Sequence, residues 1–179
     1  MTRPVSLLDE VLPEYDISAT YSIQVRAGAQ SIYSVVQKGL PQGILTRILM
    51  ALRGFPGRVQ QTTPLTSDAF YRLKEATNRE LVLGIIGQFW KPGVRPVPIH
   101  SLEDFLAFHR DGFCKAALNL TIEEKAPLES ILKTETRVMA YGKAKVPMKR
   151  YWRVIGPFSG LIRKEVLRKI KRQAENPHP

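Results

Sequence analysis

The sequence predicts an α+β fold in which consecutive antiparallel strands precede one long C-terminal helix. Three observations carry that expectation. A strict two-residue alternation runs from Ile17 to Arg26, two further β-like runs meet at a turn near residue 127, and from Lys145 onward the apolar residues recur at three and four. A chain of 179 residues, 44% apolar and 24% charged, can bury roughly two thirds of the surface its unfolded state exposes. A single domain over 1–179 is expected, with 1–14 as an N-terminal extension and 176–179 as a frayed tail.

The first strand places Ile17, Ala19, Tyr21, Ile23 and Val25 on one face and Ser18, Thr20, Ser22, Gln24 and Arg26 on the other. After the break at Ala27-Gly28, helical spacing of Ile32, Val35 and Val36 predicts a short helix. A second, with Ile44, Leu45, Ile48, Leu49 and Leu52, follows Gly39-Leu40-Pro41 and ends at Gly54-Phe55-Pro56-Gly57. Between Ala69 and Trp90 a hairpin turns at Ala76-Thr77-Asn78-Arg79. Its second strand, Leu81 to Trp90, is apolar on both faces and so is central. Pro92, Pro96 and Pro98 impose a loop, because proline removes a ladder donor. Ser101 then caps a short helix beginning Leu102-Glu103-Asp104-Phe105.

Strands at about Phe113 to Glu123 and Ser130 to Tyr141 come next, joined by Ala126-Pro127-Leu128-Glu129. In the terminal helix Met148, Tyr151, Trp152, Ile155, Phe158, Ile162, Val166 and Ile170 form one apolar stripe. Pro157, within Gly156-Pro157-Phe158-Ser159-Gly160, predicts a kink or an interruption, with Ser159 capping the second half.

Charge is unevenly distributed. Residues 141–179 hold eleven Lys and Arg against two Glu, a net of +9, whereas residues 1–140 hold 16 basic and 14 acidic side chains. An anionic partner near the C-terminus is one implication and a solvated helix face is the other. Cys114 is the sole cysteine, which excludes an internal disulfide and a multi-cysteine zinc site and fits a reducing cytoplasm. Asp9 and Glu10 interrupt the apolar run a signal peptide needs, and no window has the length of a membrane span. Phosphate-cradling and dinucleotide glycine patterns and the nucleophile elbow are all absent, so no cofactor is expected. His100, His109 and His178 lack metal-ligand spacing, so no metal is expected either.

A strand, two short helices, a run of antiparallel strands and a long terminal helix resemble the helix-grip fold of the START-like, or SRPBCC, superfamily of polyketide cyclases and lipid-transport proteins. The resemblance rests on Ile17 to Val25 leading into Ala27-Gly28-Ala29-Gln30-Ser31-Ile32-Tyr33, and on the helix from Lys145 to Glu175. Leu132 to Val138 and Tyr151 to Arg163 are also similar to segments of uncharacterised bacterial members. The resemblance implies a curved sheet wrapped around the long helix, with an apolar cavity between them for a hydrophobic ligand or lipid. It does not settle function, since that fold carries enzymes, carriers and sensors.

Candidate cavity residues are Tyr21, Glu135, Arg137, Tyr151, Trp152, Ile155 and Arg163. Glu135 and Arg137 share a strand face with Lys133. That face reads as the solvent face, and the alternative puts a buried charge pair in the cavity as a ligand or acid–base site. Lys115 and Asn119 pose the same question and also read as exposed. Arg163 falls inside the apolar arc of the terminal helix, where its guanidinium either points at the cavity mouth or caps the sheet, able to bind a carboxylate or phosphate, or snorkels past the helix edge to solvent. Lys164, Arg168, Lys169 and Arg172 fan over the opposite arc as anion-surface candidates.

The leading expectation is binding of a hydrophobic or amphipathic small molecule without covalent catalysis. A cyclase or aromatase-like enzyme using Tyr21, Glu135 or Arg137 is the second, and peripheral contact with an anionic membrane the third. Nucleic acid is disfavoured, because aromatics interleaved with the basic residues are missing beyond Arg163.

Overall fold

The computed structural model describes residues 5–39 and 70–176. Its elements are α1 (Leu7–Val11), β1 (Ile17–Val25), α2 (Ala29–Gln37), β2 (Tyr71–Ala76), β3 (Glu80–Gly87), α3 (Leu102–Ala107), β4 (Cys114–Ala126), β5 (Glu129–Ala140), a 3-10 turn (Gly142–Ala144) and α4 (Lys145–Glu175). The strands form one curved antiparallel sheet in the order β1-β5-β4-β3-β2, with the long terminal helix against it, the helix-grip arrangement that the element order implied. The second short helix expected after β1, around Ile44 to Leu52, lies outside the described residues.

The alternation of β1 sets its orientation. Ile17, Ala19, Tyr21 and Ile23 are half-buried and Val25 is buried, whereas the residues between them are exposed. Register continues this face across the sheet: Tyr21 stands beside Thr134 and Thr134 beside Leu120, and Ile23 stands beside Leu132 and Leu132 beside Ile122. Over it pack Ile32 and Val36 of α2 and Leu167, Ile170 and Ala174 of α4. A second cluster on the same face joins Cys114, Ala116, Val138 and Ala140 to Met148, with Tyr151 and Trp152 at its margin. The foot of α4 is tied to the edge strand, where Lys171 Nζ donates to Gln24 O at 2.8 Å and Glu175 Oε1 accepts from Arg26 N at 2.7 Å.

The opposite face of the sheet is covered too, as the two-sided apolar run of β3 implied for that strand and the alternation of β4 and β5 did not. Val82, Ile86 and Ala117 pack there against Leu8, Val11 and Leu12 from the α1 segment and Phe105 of α3. Ser6 and Asp9 form a reciprocal capping box on α1, and Ser101 accepts from Asp104 N at the start of α3 as expected. Gly84 serves this packing: a Cβ there would collide with Leu73 and stand 2.9 Å from the Phe105 ring. In the proline loop Val97 N donates to Ile86 O at 2.8 Å, giving the loop one bridge to the sheet between Pro96 and Pro98.

Two expectations about the terminal helix are corrected. Residues 145–175 form one continuous helix containing Pro157, so there is no interruption and no second N-cap at Ser159. Proline forfeits one ladder bond, and the packing of the turns on either side holds the helix through it. Phe158 leaves the apolar stripe and is 51% exposed, because at 100° per residue it sits on the margin of the arc centred on Ile155, Ile162 and Val166.

Cys114 is fully buried, and desolvation, aided by the charge of Asp16, pushes its thiol from 9.0 to about 12. Only the thiolate reacts, so at pH 8 alkylation by iodoacetamide is expected to be about 1,000-fold slower in the native protein than in urea-unfolded chain. Equal rates measured by mass spectrometry would show that this core opens readily.

Candidate functional site

The candidate site lies between the sheet and α4, where polar side chains stand between the two apolar clusters of the inner face. Register sets Ala19, Thr136 and Leu118 side by side across β1, β5 and β4 in the row between the clusters. Thr136 is 6% exposed, and its Oγ1 has no hydrogen-bond partner among the described residues. In the adjoining row Thr134 is satisfied, donating to Asn119 O at 2.6 Å.

Arg163 reaches Tyr21 and Trp152 from α4. Its guanidinium carbon lies 5.9 Å from the centre of the Tyr21 ring and 5.9 Å from that of Trp152. Nη1 is buried without a hydrogen-bond partner among the described residues. Burial pushes the guanidinium below its ordinary pKa range, and the Tyr21 phenol counters this in part. No ion pair joins Arg163 to Glu165: one carboxylate oxygen, Oε1, lies 3.7 Å from Lys169 Nζ, and the other, Oε2, is itself buried without a hydrogen-bond partner among the described residues. The result is a half-buried positive charge between two aromatic faces with an open hydrogen-bonding capacity, which suits an anionic oxygen from a ligand.

Gly160 sets how closely α4 approaches Tyr21. A Cβ at that position would overlap the Tyr21 hydroxyl and lie 3.0 Å from Cζ. Gly160→Ala gains up to about 1 kcal/mol in helix propensity but introduces overpacking of roughly 1–3 kcal/mol against a stiff ring. A net loss of up to about 2 kcal/mol by urea unfolding is expected, with partial recovery in Gly160→Ala/Tyr21→Phe. Failure of that rescue would mean that the clash is relieved elsewhere.

Of the residues singled out from sequence, Tyr21, Tyr151, Trp152, Ile155 and Arg163 are half-buried, and Arg163 directly brings together Tyr21 and Trp152. Glu135 and Arg137 do not join them. They are 7% and 5% exposed on the other side of the sheet, beneath the α1 segment, which corrects their reading as solvent-facing and separates them from any cavity under α4. Arg137 donates through Nε to Glu135 Oε1 at 2.8 Å, through Nη1 to Leu12 O at 3.0 Å and through Nη2 to Asp9 Oδ1 at 2.6 Å, with the Tyr15 ring 4.8 Å away. Desolvation pushes its pKa down, and the hydrogen bonds and charges of Glu135 and Asp9 outweigh that and raise it.

Lys115 and Asn119 are likewise buried rather than exposed. Lys115 donates to Phe105 O and Leu106 O at 3.2 and 3.1 Å, closing the end of α3, and burial lowers its pKa. Asn119 donates to Glu80 Oε1 at 2.7 Å, and the same carboxylate receives Ser6 Oγ at 2.6 Å and Leu7 N at 2.9 Å. These groups fasten α1 and α3 to the sheet, so their polarity is spent on architecture.

Among the anion-surface candidates Lys164, Arg168 and Arg172 are exposed, whereas Lys169 is half-buried and turned to Glu165. Thr136 and Gly160 were missed from sequence: a threonine within an alternating strand and a glycine three residues after a proline carry no local signal of a site. No cluster of His, Cys, Asp or Glu among the described residues could hold a metal ion, and no described helix is long and apolar enough to cross a membrane.

No family model and no curated protein matches the chain. Solved structures do match. A conserved protein from Geobacillus kaustophilus aligns at 13% identity over 88% of this chain and 95% of its own, with a TM-score of 0.40. CalU16 from Micromonospora echinospora aligns at 13% identity over 88% and 83%, with a TM-score of 0.35. A Thalictrum norcoclaurine synthase point mutant in complex with a transition-state analogue aligns at 9% identity over 88% and 93%, with a TM-score of 0.34. These are likenesses of overall shape at low sequence identity.

Proposed function

We propose that the protein binds an amphipathic small molecule between the sheet and α4, with a carboxylate, sulfonate or phosphate head group held by Arg163 and an apolar body in the space above Thr136 and Leu118. The observation that carries the reading is the half-buried Arg163, flanked by Tyr21 and Trp152, whose Nη1 is buried and unsatisfied among the described residues. A buried unpaired charge is costly, and a fold retains one where a ligand completes it. The reading is binding rather than catalysis, because Glu135 and Arg137, the acid–base pair a cyclase-like mechanism would use, are engaged on the other face with Asp9 and Leu12. The resemblance of the sequence to the START-like superfamily agrees with a ligand in this place.

Native mass spectrometry of gently purified protein tests it. The wild type is expected to carry an anionic amphiphile that Arg163→Met lacks. Ligand-free wild type, or equal occupancy in the variant, would overturn the reading.

A further inference from the structure

The outward face of α4 is not simply charged. Val154, Phe158 and Leu161 are 65%, 51% and 51% exposed, and their spacing of four and three places them in one stripe. At 100° per residue the same face carries Arg150 before the stripe and Arg168 and Arg172 after it, with Arg153 and Lys164 at its edge, all exposed. The two glutamates of α4 are half-buried and held elsewhere, Glu165 toward Lys169 and Glu175 by Lys171 and Arg26 N. Three large apolar side chains therefore sit in solvent among five cations, with no exposed acidic residue on this helix.

We propose that this face docks peripherally on an anionic lipid bilayer. A bilayer interface is a surface that offers hydrocarbon and anionic groups side by side. Phe158, Leu161 and Val154 would enter the acyl boundary while the cations around them contact phosphates and carboxylates. A second copy of the chain would bring its own five cations against these five. A nucleic-acid backbone would satisfy the cations but leave the apolar stripe facing phosphate. The helix need not leave the domain to dock, since its inner stripe, with Met148, Leu167 and Ile170, remains buried in the core. The proposal is independent of the ligand reading for the inner face.

The test is co-sedimentation of the full chain with phosphatidylcholine vesicles with and without phosphatidylserine. Retention is expected only on the anionic vesicles and should weaken as salt rises, because screening shortens the reach of surface charge. Phe158→Glu/Leu161→Glu and Lys164→Glu/Arg168→Glu/Arg172→Glu should each lower partitioning at least about tenfold. These positions are exposed, so circular dichroism and melting temperature should be unchanged. Because Cys114 is buried, a Phe158→Cys protein can be labelled at that site alone with an environment-sensitive fluorophore, whose emission should shift to the blue on anionic vesicles. Equal retention on both vesicle types, retention untouched by the apolar substitutions, or binding to a homopolymer RNA in place of vesicles would overturn the proposal.

Discussion

Replacing Arg137 with leucine is expected to destabilise the protein by roughly 3–5 kcal/mol, a large part of the ~5–15 kcal/mol that a domain of this kind possesses. The side chain is 5% exposed and donates to Glu135, Asp9 and the carbonyl of Leu12. Without it the Glu135 carboxylate, 7% exposed, keeps its burial and loses its closest cation, since Lys133 Nζ stands at 4.0 Å. The α1 segment loses two anchors at once, and Leu8, Val11 and Leu12 lose the restraint that holds them over the sheet. Urea unfolding measures the loss. Arg137→Leu/Glu135→Gln should recover a substantial part, because the penalty lies in the stranded charge more than in the missing contact. A double variant as unstable as the single one would show that the hydrogen bonds to α1, rather than the ion pair, carry the energy.

Arg163→Met is expected to do the reverse to stability while removing function. The guanidinium pays for its desolvation with two ring contacts at 5.9 Å, near the outer limit of useful cation–π attraction. A methionine of similar length takes its place without that cost, so a gain of about 1–3 kcal/mol is expected, or about 2–4 °C in Tm for each kcal/mol. Affinity for 1-anilinonaphthalene-8-sulfonate, an anionic amphiphile, should fall by about tenfold or more, the scale of one charge-assisted hydrogen bond. Arg163→Lys should keep the charge and lose the fork, leaving intermediate affinity. A methionine variant that is less stable than wild type would mean that Arg163 is a structural residue with a partner of its own.

Both predictions turn on burial, which local pattern conveys in part. The alternation from Ile17 to Val25 identified the inner face of β1 correctly, because an edge strand has one covered side. On β4 and β5 the same alternation separated Lys115, Asn119, Glu135 and Arg137 from their neighbours and misassigned them to solvent. These strands are covered on both sides, the inner side by α2 and α4 and the outer by α1 and α3. Period two says which residues share a face and not what lies over it. The α1 segment gave no warning, since Leu7–Val11 is under two turns long and displays no period.

The proline at 157 and the phenylalanine at 158 show the same division. Spacing established that one amphipathic helix ends the described chain and that Arg163 falls among its apolar residues. Only packing decided that the helix runs through Pro157 and that Phe158 stands outside the core.

What the sequence by itself determined is therefore the set of elements, their order and the faces within each, because hydrogen-bond periodicity and caps act over a few residues. The tertiary structure alone decided which polar residues are buried, which of them are satisfied, and that Arg163 and Thr136 are left with atoms unpaired among the described residues beneath α4. Those outcomes depend on groups far apart in the chain, such as Asp9 with Arg137 and Tyr21 with Gly160, and no local pattern records their meeting.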